Sequence, residues 1–137
     1  MRRINYLLIL VSVSLFFSSC VPAEEKAEDY YEQGKIMLYN NNIKAAEELY
    51  EKGLEYVPDH ARLLYEVGNC YMNYRDYHTA IEKYNAAIES NPKYADAFFN
   101  RGQCWFYLGE EAKACVDWKI AHKYGRPSLK DKIKNCP

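Results

Sequence analysis

The side chains with the widest chemical repertoire in this chain are five cysteines and three histidines. Thiolates ligate metals, act as nucleophiles or oxidise to disulfides, and imidazoles carry protons or ligate metals. Spacing decides among these roles. His60 follows Pro58-Asp59, His78 stands near the start of a helical stretch and His122 near the end of another, so they make no ligand spacing. Solvated or helix-capping roles are expected for all three. No cysteines are paired at zinc-type spacing, no glycine-rich loop is built to cradle phosphate, and no nucleophile elbow occurs. Glu47-Glu48 reads as a solvated helix face and Glu110-Glu111 as a helix start. The sequence therefore offers no catalytic, metal or cofactor constellation, and neither an enzyme nor a small-molecule substrate is expected.

Composition bounds the remaining classes. The 137 residues carry a formal charge of -1, and losing Arg2 and Arg3 with a leader takes it to -3. A slightly acidic chain without Lys/Arg clusters is poorly suited to a phosphate backbone, so nucleic acid is not expected as a partner. Charged residues at 27% and apolar ones at 49% suit one packed domain. Fourteen tyrosines stand out. Each joins a large apolar body to a polar tip, which suits helices that are half core and half binding surface.

Met1-Arg2-Arg3 followed by the mostly apolar run Ile4 to Phe17 has the charge and length of a signal peptide, and is too short for a spanning helix. The alternative is a retained N-terminal anchor. Phe17-Ser18-Ser19-Cys20 resembles the lipobox of bacterial lipoproteins, with Phe17 where leucine is usual. The resemblance implies removal of 1–19 and lipidation of Cys20, two acyl chains being enough for durable anchoring. Cleavage after Val21-Pro22-Ala23, releasing a soluble form, is the competing reading. Residues 20–26 read as a tether. Glu24-Glu25 resembles a surface-export mark but equally suits a helix N-terminus.

Internal periodicity organises the rest. Gly34, Gly68 and Gly102 stand 34 residues apart, as do Ala46, Ala80 and Ala114; Tyr50, Tyr84 and Trp118; and Gly53, Ala87 and Ala121. Pro58 and Pro92 continue the series, with Pro127 one place late. This pattern resembles the tetratricopeptide repeat, a helix-turn-helix unit whose small columns let helices approach, whose aromatic columns fill the gaps, and whose proline ends the second helix. The resemblance implies an all-α fold: a right-handed superhelical array of three repeats (27–60, 61–94, 95–127) with a capping helix over 128–137.

Helices are expected near Glu25 to Tyr39 and on to Tyr56 after Asn40-Asn41-Asn42. Asp59 is expected to cap the next, which runs to about Tyr74, and Asp76 the one ending near Ser90. Two more span Tyr94 to Leu108 and, after Gly109, up to Tyr124. Ser128 to Asp131 reads as a capping box, opening a short helix that covers the last apolar face.

In this family the first helix of each unit lines a concave groove. The resemblance places Tyr31, Lys35 and Leu38 there from the first unit, Tyr65, Asn69 and Met72 from the second, and Phe99, Gln103 and Phe106 from the third. Glu28, Tyr39, Arg62, Asn73, Asp96 and Tyr107 complete the lining. Tyr31, Tyr65 and Phe99 form a ladder that serves equally as framework or as binding anchors. Relatives that clamp acidic chaperone tails use lysine and asparagine where Tyr31 and Lys35 stand. Only Asn69 matches that clamp, so such tails are not the expected partner. Cys70 and Cys104 share one repeat position, where a free core thiol is the default. Cys104 and Cys115 also stand at mirrored heights across a hairpin, and their pairing is the alternative.

The resulting expectation is a non-enzymatic scaffold, a lipid-anchored adaptor or assembly factor in a bacterial envelope that holds a protein or peptide. The periplasmic face of the outer membrane is the expected site rather than the cell surface. A stoichiometric structural subunit of a larger envelope complex is the alternative.

Overall fold

The computed structural model describes residues 21–126, 129–134 and 136. The expected leader and Cys20 lie outside the described residues, as do Pro127 and Ser128. Among the described residues seven helices follow one another: α1 (Ala23–Tyr39), α2 (Ile43–Tyr56), α3 (Ala61–Asn73), α4 (Tyr77–Ser90), α5 (Ala95–Tyr107), α6 (Glu111–Lys123) and α7 (Lys130–Lys134). The three hairpins α1–α2, α3–α4 and α5–α6 are each tightly packed, and α2 on α3 and α4 on α5 join them into one array. No strand occurs among the described residues.

Each hairpin closes by a ring lying on a glycine. A Cβ added at Gly68 would fall 2.6 Å from Cε1 of Tyr84, and one at Gly102 2.7 Å from Cδ1 of Trp118; Gly34 meets the Tyr50 ring in the same way. Tyr50 and Tyr84 are completely buried and Trp118 nearly so. Ala46, Ala80 and Ala114 are fully buried as well, because any longer side chain would push the paired helices apart.

The turns inside the hairpins share one backbone solution. Asn41, Arg75 and Gly109, one per repeat, take positive φ of 58°, 61° and 79°. Asparagine and glycine tolerate that region, whereas arginine does not favour it. Side-chain caps start three helices. Asn42 accepts from the Ala45 amide at 3.2 Å and Asp76 from the Thr79 amide at 3.2 Å, the latter as expected. For α3 the cap is His60 rather than Asp59: the helix begins at Ala61, and His60 Nδ1 accepts from the Leu63 amide at 3.4 Å. At the other end of the array, α1 begins at Ala23, inside the segment read as tether. Glu24 and Glu25 occupy its first turn, where the helix dipole favours carboxylates.

The alternative Cys104–Cys115 pairing is not formed, and Cys70 and Cys104 are the free core thiols that were the default. Cys115 is bonded to Cys136, with Cα atoms 5.6 Å apart, and Cys104 is a free, buried thiol. The two cysteines face opposite ways. Cys104 packs into the core that α5 shares with α3 and α4, whereas Cys115 belongs to the apolar cluster beneath α7. Burial pushes the thiols of both Cys70 and Cys104 up to about 12, which keeps them protonated and unreactive. Leu129, only 3% exposed, joins the same cluster as Phe98, Trp118 and Ala121, so the C-terminal segment does cover the last repeat.

The ring-on-glycine contact makes a direct prediction. Tyr84 cannot retreat, since it is enclosed and hydrogen-bonded. Gly68→Ala is therefore expected to destabilise by about 1–3 kcal/mol, seen as a lower urea midpoint at unchanged m-value.

Candidate functional site

The first helices of the three hairpins, α1, α3 and α5, present one face along which corresponding residues meet. Glu28 on α1 pairs with Arg62 on α3 at 2.5 Å, and Asn100 on α5 donates to the Tyr65 hydroxyl on α3 at 3.1 Å. These contacts span 34 and 35 residues, so the repeat period itself sets the register of the face.

The nine principal residues that the repeat pattern assigns to this face stand in different circumstances. The Tyr31, Tyr65 and Phe99 rings are half-buried, and each is covered by a neighbour. The Arg62 guanidinium lies 4.7 Å from the Tyr31 centroid, Tyr94 packs 5.0 Å from Tyr65, and Arg126 lies 4.2 Å from Phe99. The ladder thus acts as framework in this state. Leu38 and Met72 are half-buried against the main core. Phe106 in the same column is 49% exposed, and Tyr107 beside it 58%. Tyr39, the counterpart of Tyr107 in the first repeat, is 91% exposed. The open part of the face therefore lies at the C-terminal ends of α1 and α5.

Lys35, Asn69 and Gln103 occupy one column with three outcomes. Asn69 Oδ1 accepts from the Tyr84 hydroxyl and from Asn100 Nδ2, both at 2.7 Å, while Asn69 Nδ2 donates to Glu66 at 3.0 Å. Its side chain is engaged on both ends. Lys35 instead turns outward onto Glu32 at 2.8 Å, and this hydrogen bond raises its pKa. The buried Tyr50 hydroxyl beneath it has no protein partner. Gln103 accepts from Lys132 of α7 at 2.6 Å. Trp118, which replaces the tyrosine of this column, leaves its indole Nε1 unpartnered against Gly102.

Sequence reasoning missed four participants. Glu66 and Asn100 share a repeat position with Glu32, and the lone amide in a column of glutamates was the available signal. Asp117, 2% exposed, receives Arg101 through two hydrogen bonds of 2.8 and 2.6 Å, locking α5 to α6. Lys132 carried no sequence signal, because its place on the face depends on how α7 docks. Two of the three histidines make structural contacts: His60 caps α3, and His122 Nδ1 lies 3.1 Å from the Arg126 carbonyl oxygen. Among the described residues no group of three or more His, Cys, Asp or Glu is arranged to hold a metal, and no helix is long and apolar enough to cross a membrane.

Known families and folds agree with this geometry. Residues 31–73 match the family model described as tetratricopeptide repeat, and residues 76–109 match that described as TPR repeat. The chain carries tetratricopeptide repeats. Among solved structures, the first TPR of Spaghetti (RPAP3), bound to the HSP90 peptide SRMEEVD, is 20% identical with a TM-score of 0.76, covering 81% of this chain and 90% of that one. The N-terminal domain of stress-induced protein-1 from C. elegans is 16% identical, TM-score 0.74, covering 83% and 96%. The Yersinia enterocolitica type III secretion chaperone SycD, in complex with a peptide of the translocator YopD, is 18% identical, TM-score 0.69, covering 78% and 83%. At such identities the likeness is one of fold. No curated protein sequence matches the chain significantly.

Two predictions follow from the polar column. Tyr50→Phe removes a buried hydroxyl without a protein partner and is expected to be neutral or stabilising by up to about 1 kcal/mol, whereas Tyr84→Phe breaks the Asn69 bond and costs about 1 kcal/mol. Urea unfolding of both variants measures the contrast. Glu66 supplies a pH test. Burial raises its carboxyl pKa above the ordinary value, the Asn69 hydrogen bond opposing. The folded state thus holds the proton more tightly than the unfolded one, so this group's contribution to stability is present at low pH and is lost as pH rises through the raised pKa. Glu66→Gln, which keeps an acceptor for Asn69, is expected to gain stability over the parent as pH rises above about 4.3, read as a growing difference in Tm.

Proposed function

We propose that the chain is a non-enzymatic interaction scaffold that holds a protein or peptide along the face of α1, α3 and α5, and that lipid on Cys20 tethers it in a bacterial cell envelope. The observation that carries the binding reading is the exposure of Phe106 and Tyr107, adjacent aromatics at the open end of a face otherwise closed by its own contacts. Exposed aromatics next to polar groups are the usual anchors of protein interfaces. The fold is compatible with such use, since Spaghetti holds an HSP90 peptide and SycD a peptide of YopD. The acidic chaperone peptide does not carry over. Lys35 is paired with Glu32, and both ends of the Asn69 side chain are engaged.

The tether reading is supported by Phe17-Ser18-Ser19-Cys20 and by the start of α1 at Ala23, three residues after Cys20. Tyr39 stands at the far end of α1, about 25 Å from that start at 1.5 Å per residue. The exposed aromatic end of the face is thus remote from the attachment point. A periplasmic position on the outer membrane fits a scaffold presenting this end to envelope proteins. One observation favours the alternative of a stoichiometric subunit: Val116, 57% exposed, lies away from the face.

Photoreactive residues at Tyr107 and at Val116 in intact cells test the choice. A single adduct from Tyr107 that disappears with Phe106→Ala is expected; adducts from Val116 alone would point to the subunit. Cys20→Ser is expected to move the protein from the detergent to the aqueous phase on partitioning, and an unchanged distribution would refute the lipid tether.

A further inference from the structure

Where α5, α6 and α7 meet, the structure forms a half-open cleft of about 360 Å³, within the usual range for ligand pockets of roughly 300–1,000 Å³. Phe106, Tyr107 and Trp118 supply its apolar walls. Its polar groups are Gln103, Lys132 and one carboxylate, Glu111. Lys132 is the unusual member. Its ammonium donates to Gln103 Oε1 at 2.6 Å and lies 4.5 Å from the Trp118 centroid and 5.4 Å from that of Phe99. Among the described residues it pairs with no carboxylate within 4.0 Å, unlike Lys35, Lys83, Arg101, Lys113 and Arg126. Burial lowers its pKa, as expected for a cation resting on rings instead of a counter-ion. With the Gln103 oxygen taken, its amide nitrogen stands beside the ammonium as a second donor.

We propose that this cleft binds an acidic side chain flanked by a bulky apolar residue in an extended segment of the partner, and that the Cys115–Cys136 disulfide holds the cleft together. The carboxylate sits on Lys132 and Gln103, and the apolar side chain packs against Phe106, Tyr107 and Trp118. The inference rests on the scaffold reading above and names the partner's chemistry at one end of the face. The charge complementarity is local: an ammonium with no carboxylate within 4.0 Å among the described residues, and within about 5 Å of an aromatic wall. The disulfide matters because Lys132 comes from α7, a helix of five residues, too short to persist unaided. A dithiol reductant would cleave the bond, two electrons and two protons converting Cys115 and Cys136 to thiols as the dithiol becomes a disulfide. With α7 released, Lys132 would no longer be held over Trp118.

The test uses the acetylated and amidated probe peptide Gly-Ser-Glu-Phe-Ser-Gly, titrated into isotope-labelled protein and followed by amide chemical shifts. Shifts are expected on α7 and on the facing parts of α5 and α6. Replacing the peptide glutamate by glutamine, or making Lys132→Gln, is expected to weaken binding about three- to fivefold, and the two changes together no further. Dithiothreitol is expected to weaken binding at least as much. The Lys132→Gln variant keeps the Cys115–Cys136 link and is expected to keep the parent circular dichroism, which is checked first. Equal affinity for the glutamine peptide, full affinity in Lys132→Gln, or binding unchanged by reduction would each overturn the proposal. So would a glutamine peptide that binds better once its terminal carboxylate is freed. Shifts confined to α1 and α3 would overturn this cleft while leaving the scaffold reading intact.

Discussion

A flat ring pressed on a bare backbone sets the dimensions of this protein. Tyr50 on Gly34, Tyr84 on Gly68 and Trp118 on Gly102 bring the two helices of each hairpin to a separation that no β-carbon would allow. Because the contact recurs every 34 residues, the hairpins are alike in geometry and their first helices fall into register. Pairings such as Glu28–Arg62 and Tyr65–Asn100 are consequences of that register. The buried alanines and the rings lying between neighbouring hairpins follow from the same spacing.

The same contact explains why the repeats differ in their polar pairing. A tyrosine driven into the core brings a hydroxyl that must be satisfied, and the residue one position after the glycine decides how. In the middle repeat Asn69 satisfies it and joins Glu66, Asn100 and Tyr65 in a closed network. In the first repeat Lys35 leaves for solvent, and in the third the tyrosine is replaced by Trp118 while Gln103 turns to α7. Polar capacity in the centre of the face is thus consumed by the fold. At its C-terminal end, by contrast, it stays available beside exposed aromatics.

Addition of α7 gives the last repeat a different character. Leu129 fills the apolar end and the disulfide joins Cys136 to Cys115, so the segment both covers a core and supplies Lys132 to the face. Such a bond persists in an oxidising compartment. The buried Cys70 and Cys104, by contrast, are small core side chains whose chemistry is suppressed by their surroundings.

By itself the sequence determined the architecture. A period of 34 in the glycine, alanine and aromatic columns leaves one way to pack helices of this length, and the helix limits follow from Asn42, Asp76 and the prolines. It also assigns candidates to a common face, because a helix repeats its faces predictably. Only the tertiary structure decided what those residues are free to do. Tyr31 and Phe99 are covered by Arg62 and Arg126, each brought over the ring by folding, and Asn69 is held by Asn100 from the next repeat. The choice of Cys136 over Cys104 as the partner of Cys115 was likewise tertiary. Height along a hairpin can be counted from sequence, but the direction in which a side chain points across it depends on what packs on the other side.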